Sequence, residues 1–475
     1  MIIYIIRKHE RVINVRKTMN KTAVQTAFVI VLALLPLGLV FNDNVWFDEA
    51  YTLALIRHDY GGVLDILKTD MHPPLYFISL KAFSGLFGYS ILSTKIFSVL
   101  GYSAAVLGGA AVIKKHFDAQ TAVFYAAAVP AIPMMFYFSN QQRSYSWCVC
   151  FVTLCFLQAV LALKEEKPGH FVLMAVFGLL AAYNHFFALL AVFIVIGSVN
   201  LFVVIKRRKL IEWVLVSDLI CVAGYSVWML PLLTQAGKAA NNFWLKGVEW
   251  ISVVVFAGSV LLVAACLLVK ANRRLENVFA AVCVLGLQAV GLLGTIFVRP
   301  FYIGRYSVVI LGIGACFLAF SFKGLQRRGK TAVSILLCVF CALNFAFSAA
   351  FEYNPSVSDF CESFGSELSK EDTFLYFDNS FGVMSYYYPD NEHLCTYREE
   401  WFSAFDDVEY ARPDKLHEVF ADKNGKIWMP KVASSKFPEA VKRGYKYEKK
   451  YSFVCDFNVY DVYLILFDNS IISEK

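Results

Sequence analysis

The amino-acid sequence predicts an all-α polytopic membrane protein with a small C-terminal α/β domain. Of the 475 residues, 58% are hydrophobic and 17% are charged, whereas soluble proteins are nearer half apolar and a quarter charged. The apolar excess falls in uncharged runs of about 20 residues, which is the length that crosses a bilayer. Short Lys/Arg clusters separate the runs, so the net charge of +7 follows the positive-inside pattern and does not indicate nucleic-acid binding.

About eleven runs are predicted to span the membrane, although the fifth is short. They lie at 22–41, 92–113, 121–138, 147–163, 170–184, 186–205, 211–232, 250–269, 278–298, 306–322 and 331–350. A further apolar segment, 74–88, is shorter and contains Lys81. Because another span there would reverse the side of every later basic cluster, we interpret it as an outer interfacial helix, with 53–68 as a second.

The basic clusters predict the orientation of the chain in the plasma membrane. A basic arm at 1–21 precedes the first run and no small-residue cleavage site follows, which is typical of an uncleaved signal-anchor. Met19 is an alternative start. The remaining clusters fall in alternate loops, so the N-terminus is expected in the cytoplasm and the C-terminus outside. The loops expected outside are 42–91, 139–146, 184–186, 233–249 and 299–305.

The composition changes after the transmembrane domain at 22–350. Residues 351–475 contain charges and turn residues, with β-like segments at 373–377, 426–429 and 451–465 and helix-like segments at 359–370 and 405–421. We predict a small extracytoplasmic α/β domain. Three of the twelve cysteines fall in this region, so at most one disulfide is expected there, with its pairing open. They are Cys361, Cys395 and Cys455.

An acid pair in the first outer loop is the strongest candidate for chemistry. Asp48 and Glu49 follow the first span almost at once, and the loop closes with Asp70 and His72 in the segment HPPLY. Carboxylates are costly inside a bilayer, so acids at its edge indicate a reaction at the membrane surface. The alternative is a pair of solvated carboxylates at a helix end. Asp48, Glu49 and Asp70 are also a candidate set for a divalent metal, although no cofactor is required.

Three other outer loops add complementary groups. SNQQRSY contains Arg143 and Tyr145, YNHFF contains His185, and RPFYIGRY contains Arg305 and Tyr306. Arginine suits phosphate because its planar fork binds pairs of oxygens and stays charged. Singly, an interfacial arginine or a structural histidine is an equally simple interpretation. Together, these groups favour an enzyme acting on a lipid-borne phosphate over a transporter, which would carry ionisable groups at mid-bilayer.

The segment GLQRRGKT at 324–331 matches the phosphate-loop pattern formally. That loop requires a preceding β-strand and a helix packed on a sheet. Here the segment joins two predicted spans, so we interpret it as a basic cytoplasmic loop and predict no nucleotide site.

The motifs WFDEAYT, HPPLYF, SNQQRSY, YNHFFALLAVF and GRY resemble those of the GT-C superfamily of lipid-phosphate-sugar glycosyltransferases. The similarity is to bacterial relatives of the dolichyl-phosphate-mannose protein mannosyltransferases and of the aminoarabinose lipid A transferase, and covers about residues 20–320 in order and spacing. It implies a polyprenyl-phosphate-linked sugar donor at the outer leaflet and transfer with inversion. It specifies neither the sugar nor the acceptor, which is a protein, a glycan or a glycolipid.

The resemblance also implies roles for individual residues. Asp48 matches the catalytic acid that acts as general base on the acceptor hydroxyl, and Glu49 its neighbour that positions the acceptor. Arg143 and Arg305 match cations near the donor phosphate. The residues expected to line the site are His72, Tyr145, His185 and Tyr306. Two alternatives remain open: a flippase or transporter of lipid-linked sugars, and a non-catalytic membrane protein whose tail binds a partner.

Overall fold

The computed structural model describes residues 22–242, 245–396, 400–413, 416 and 425–466. The predicted basic arm at 1–21 lies outside the described residues. The chain divides into two compact units. The helical unit comprises Lys95–Ser348 with the described residues up to Val40, and the mixed unit comprises Phe41–Thr94 with the described residues from Ala349 onward. The first outer loop therefore belongs to the same unit as the C-terminal α/β segment.

Long apolar helices confirm the predicted polytopic membrane fold. In the described ranges, nine helices are long and apolar enough to cross a membrane. They are α1 (Thr22–Leu39), α5 (Ile91–His116), α8 (Tyr145–Glu165), α10 (Phe186–Lys206), α11 (Ile211–Asn242), α12 (Trp250–Leu268), α13 (Leu275–Phe297), α14 (Leu311–Phe322, with a preceding 3-10 turn at Gly304–Ile310) and α15 (Arg327–Glu352). The central element of the helical unit is α8, whose apolar window is 83% buried.

Two of the predicted spans are not long continuous helices in the structure. The segment predicted at 121–138 is a broken helix, α6 (Ala119–Ala131) followed by α7 (Met135–Asn140), with Met134 at φ 65° between them. Asn344 satisfies the exposed backbone of the break: its Nδ2 donates to Pro130 O at 2.9 Å and Ile132 O at 2.7 Å, and its Oδ1 accepts from Met134 N at 3.0 Å. Such partners are what allow irregular backbone at membrane depth. The segment predicted at 170–184 is the 15-residue helix α9 (Pro168–Ala182).

The mixed unit contains a six-stranded sheet, which confirms the predicted α/β domain. Its strands are β1 (Thr373–Tyr376), β2 (Glu392–Cys395), β3 (Val408–Tyr410), β4 (Ile427–Val432), β5 (Lys446–Cys455) and β6 (Asn458–Leu466), in the order β3-β2-β1-β4-β6-β5. The pairs among β3, β2, β1 and β4 are parallel, and β6 pairs antiparallel with β4 and β5. The helices of this segment are α16 (Ser356–Gly365), α17 (Phe381–Tyr387) and α18 (Glu439–Gly444).

The β-like segment 451–465 lies in two strands, because the chain turns at Asp456, φ 56°, to form a hairpin. One detail of the α/β prediction was wrong. The helix predicted at 405–421 is interrupted by β3, and most of its remainder lies outside the described residues. No disulfide joins Cys361, Cys395 and Cys455 in the described structure.

The first outer loop forms three helices and packs against the C-terminal segment. These are α2 (Phe47–Leu55), α3 (Tyr60–Thr69) and α4 (Leu75–Phe87). The single helix predicted at 53–68 is therefore divided, because Asp59 caps the start of α3 by accepting from Gly62 N at 2.6 Å. The ring of Phe47 lies 6.1 Å from that of Phe381 and 6.4 Å from that of Phe405. The sheet domain thus holds the start of α2.

Candidate active site

The acid pair lies in the first turn of α2. Asp48 is half-buried, and Glu49 is only 4% exposed. Because unpaired backbone N–H groups and the helix dipole favour negative charge at this end, both carboxylates are in a position that stabilises them as anions. The Oε2 atom of Glu49 also faces the backbone N of Trp46 at 3.4 Å. This contact holds the Glu49 carboxylate at the start of the helix.

Asp70 forms the most tightly bonded carboxylate of the predicted set. Its Oδ2 atom accepts from the Tyr51 hydroxyl at 2.5 Å and from His72 Nδ1 at 2.6 Å. Burial by itself would raise the pKa of Asp70, but the charge of His72 and the hydrogen bonds from His72, Tyr51 and the Met71 backbone hold it below its ordinary value. Asp70 thus orients the His72 ring through Nδ1.

The structure does not bring the candidate metal ligands of the first loop together. Within the described part of the chain, the only His/Cys/Asp/Glu group with ligand-like spacing is His116, Glu165 and His170. Asp48, Glu49 and Asp70 do not form such a group, and Asp70 already holds two donors on one oxygen.

Asp70→Asn should destabilise the mixed unit in a pH-dependent way. The folded pKa of Asp70 lies below 3.8, so its contribution is present above that value and is lost as the pH falls through the lowered pKa. We expect the substitution to cost roughly 2–4 kcal/mol at pH 7 and progressively less toward pH 3. Tryptophan-fluorescence unfolding of the detergent-solubilised chain across this range measures it.

Asp65→Asn is the matched control, because Asp65 is an exposed carboxylate on α3 that pairs only with Lys68 at 2.8 Å. It should have little effect at either pH. An equal loss for both variants, or a loss at Asp70 that does not change with pH, would contradict the account.

In the helical unit, the segment 139–145 is a buried polar stretch between α7 and α8. Every residue in it is at most 7% exposed, including Arg143 at 7% and Tyr145 at 2%. The side-chain oxygens of Asn140 and Gln141 are buried acceptors without a hydrogen-bond partner in the described structure. Buried polar groups of this kind are normally satisfied, so the segment is suited to a polar ligand that supplies donors and negative charge.

His185 brings three sequence motifs together. Its ring lies 6.0 Å from that of Tyr145 and 5.6 Å from that of Tyr306. His185 caps α10, where its Nδ1 accepts from Phe187 N at 3.1 Å, and the Phe187 ring stacks on Tyr306 at 4.2 Å. The segments SNQQRSY, YNHFF and GRY therefore meet around one histidine.

Sequence reasoning missed two residues of this unit. Glu249 holds the GRY turn, because its Oε2 accepts from Gly304 N at 2.6 Å and from Ser252 Oγ at 2.8 Å. This places Arg305, whose guanidinium carbon lies 5.8 Å from the Tyr306 ring centre. Lys95 is a lysine only 1% exposed in the first turns of α5. In the sequence, Lys95 lies near the predicted outer end of the span 92–113, and this position could have identified it as a candidate site residue.

Solved structures share this fold. Two crystal structures of ArnT from Cupriavidus metallidurans, an aminoarabinose transferase of the GT-C type, align with 94% of this chain and 98% of theirs, at 13% identity. The TM-score is 0.65 for the apo form and 0.62 for the form bound to undecaprenyl phosphate. An oligosaccharyltransferase from Archaeoglobus fulgidus, tethered to an acceptor peptide, aligns at 11% identity and TM-score 0.44, covering 86% of this chain and 69% of that one.

No protein-family model and no curated protein matches the sequence. The structural alignment extends over nearly the whole of both chains, so this chain has the same fold as the ArnT structures, in agreement with the fold that the motif resemblance implies. The chain is a multi-pass membrane protein.

Proposed function

We propose that the protein is a membrane glycosyltransferase that moves a sugar from a polyprenyl-phosphate donor to an acceptor hydroxyl at the outer face of the plasma membrane. The observation that carries the proposal is the buried polar segment 139–145, which contains Arg143. It lies among apolar helices that are long enough to span a membrane. A lipid phosphate supplies the anion, and sugar hydroxyls supply donors for the Asn140 and Gln141 oxygens. The ArnT structure with undecaprenyl phosphate supports the same donor class by fold.

Three cationic side chains of the helical unit are proposed to bind the donor phosphate. Arg143, Arg305 and the buried Lys95 are the residues proposed to bind it. As the sugar–oxygen bond breaks, negative charge grows on the leaving phosphate, and pre-placed cations stabilise that charge in the transition state. Tyr145, His185 and Tyr306 form the aromatic surface proposed to pack against the sugar or the first isoprene units.

The acids of the mixed unit are assigned to the acceptor. Asp48 takes the proton of the acceptor hydroxyl. The acceptor oxygen attacks the anomeric carbon of the donor sugar as the polyprenyl phosphate leaves. This single displacement inverts the anomeric centre. Glu49, constrained at the same helix end, positions the acceptor. His72, oriented by Asp70, lines the site and is the second candidate for the base, since a carboxylate–histidine pair can remove a proton.

The proposed orientation places the N-terminus in the cytoplasm and the mixed unit outside. It rests on the alternation of the Lys/Arg clusters between spans. Single cysteines introduced at the exposed positions Asp43 and Asp390 of an otherwise cysteine-free chain should both react with an impermeant maleimide in intact cells. Labelling of only one of them would contradict the orientation.

The test of function is transfer of radiolabelled sugar from a panel of polyprenyl-phosphate sugars in membranes. Wild type should consume one donor, and Asp48→Asn at equal expression should reduce the rate by about 10²–10⁴-fold because the general base is lost. Asp43→Asn, which changes an exposed carboxylate in the same loop, is the matched control and should transfer like wild type.

Equal donor consumption by wild type and Asp48→Asn would exclude Asp48 as the base. If His72→Gln then abolished transfer, the histidine would take that role. Movement of labelled lipid-linked sugar between leaflets without release of lipid phosphate would overturn the transferase proposal in favour of transport.

A further inference from the structure

The helical unit contains a second cluster of chemically capable side chains, at the end of α8 opposite Tyr145. His116 ends α5, Glu165 ends α8, and His170 lies in the first turn of α9. One ligand atom from each lies within 4.8 Å of the other two. Sequence analysis did not identify this group, because its members are 49 and 5 residues apart and lie among lysines. Nothing in the proposed transfer reaction uses it.

The geometry matches that of a transition-metal site. His116 Nδ1 lies 2.5 Å from Glu165 Oε1, and His170 Nε2 lies 3.4 Å from Glu165 Oε2. Two ligands at about 2.1 Å from a tetrahedral zinc are about 3.4 Å apart, so the second pair already has this spacing. The imidazole rings are nearly perpendicular, at 81° with centres 5.6 Å apart. Their side chains are 16% and 12% exposed, which leaves room for an entering ion.

A second observation, from outside the cluster, fixes the orientation of the His170 ring. The Oε1 atom of Gln158, two turns earlier on α8 and 6% exposed, accepts from His170 Nδ1 at 2.8 Å. This contact leaves Nε2 as the ring nitrogen that faces Glu165 Oε2, at 3.4 Å. An ion between these two atoms would be bound by both of them. Metal-bound histidines characteristically donate their other ring N–H to an oxygen in this way.

One residue competes for the same carboxylate. Lys167 Nζ lies 2.7 Å from Glu165 Oε2, but this lysine side chain is 67% exposed and is free to move into water. A bound ion would replace Lys167 as the partner of Glu165. Imidazole nitrogens favour zinc-like ions over magnesium or calcium.

We propose that His116, Glu165 and His170 bind one divalent transition-metal ion of the zinc class, which ties together the ends of α5, α8 and α9. By the orientation proposed above, this site faces the cytoplasm. It does not depend on the transferase proposal.

The test is Co²⁺ titration of the full-length chain in detergent, purified without a histidine tag and followed by visible d–d absorption and bound-metal analysis. Wild type should bind one equivalent in a four- or five-coordinate site, and Zn²⁺ should displace it. Glu165→Gln and His170→Gln should lose the absorption band. Gln158→Leu should weaken binding by about 10–100-fold, because it removes the outer hydrogen bond.

Lys167→Gln is the decisive variant, since it should bind Co²⁺ more tightly than wild type. A misfolded protein would not gain affinity, so this result separates ligand loss from structural damage. His58→Gln, in the mixed unit, is the control and should bind like wild type. The proposal is overturned if wild type retains no stoichiometric Co²⁺, or if the Glu165 and His170 variants bind it unchanged. The cluster would then be an ion-pair network of Lys167 and protonated histidine.

Discussion

Burial of a charged, polar segment inside a helical membrane fold is the constraint on which the rest of the helical unit depends. Each uncompensated polar group buried in this setting costs free energy, and an isolated charge costs far more. The helices on either side of the segment 139–145 have features that accommodate it. The helix before it is broken and its open backbone is satisfied by Asn344. The helix after it, α8, is the most enclosed of the described spans. The proposed lipid-phosphate donor accounts for the buried polar atoms of this segment.

In the mixed unit, contacts with the C-terminal domain fix the geometry of the first outer loop. The acids at the start of α2 are carried by a short element that could not hold a fixed geometry by itself. Phe47 packs between aromatic rings of the sheet domain, and Val45 N donates to the Tyr387 hydroxyl at 2.8 Å. Asp70 and His72 are fixed at the other end of the loop by Tyr51. The C-terminal domain is therefore a support for the first loop. Its participation in acceptor binding is a separate question.

Hydropathy and charge predicted the membrane fold, because the bilayer imposes span length and the positive-inside bias directly on the sequence. The break between α6 and α7 was missed, since the residue that satisfies it, Asn344, lies more than 200 positions away. The hairpin at Asp456 was missed because its turn contains neither glycine nor proline. The role of Glu249 depends on Gly304, which is 55 positions away, and that of His116 on Glu165, which is 49 positions away. Short linear motifs identified Arg143, His185 and Arg305, whose roles remain proposals.

The most direct test of the central claim is binding of undecaprenyl phosphate to the purified chain, measured by native mass spectrometry or thermal shift and separate from any turnover. We predict that wild type and Asp48→Asn bind it equally, because the acid serves the acceptor. Single alanine substitutions at Lys95, Arg143 and Arg305 should weaken binding by at least about tenfold each, as expected for loss of a charge-assisted hydrogen bond. Undiminished binding by all three alanine variants, or its loss in Asp48→Asn alone, would contradict the account.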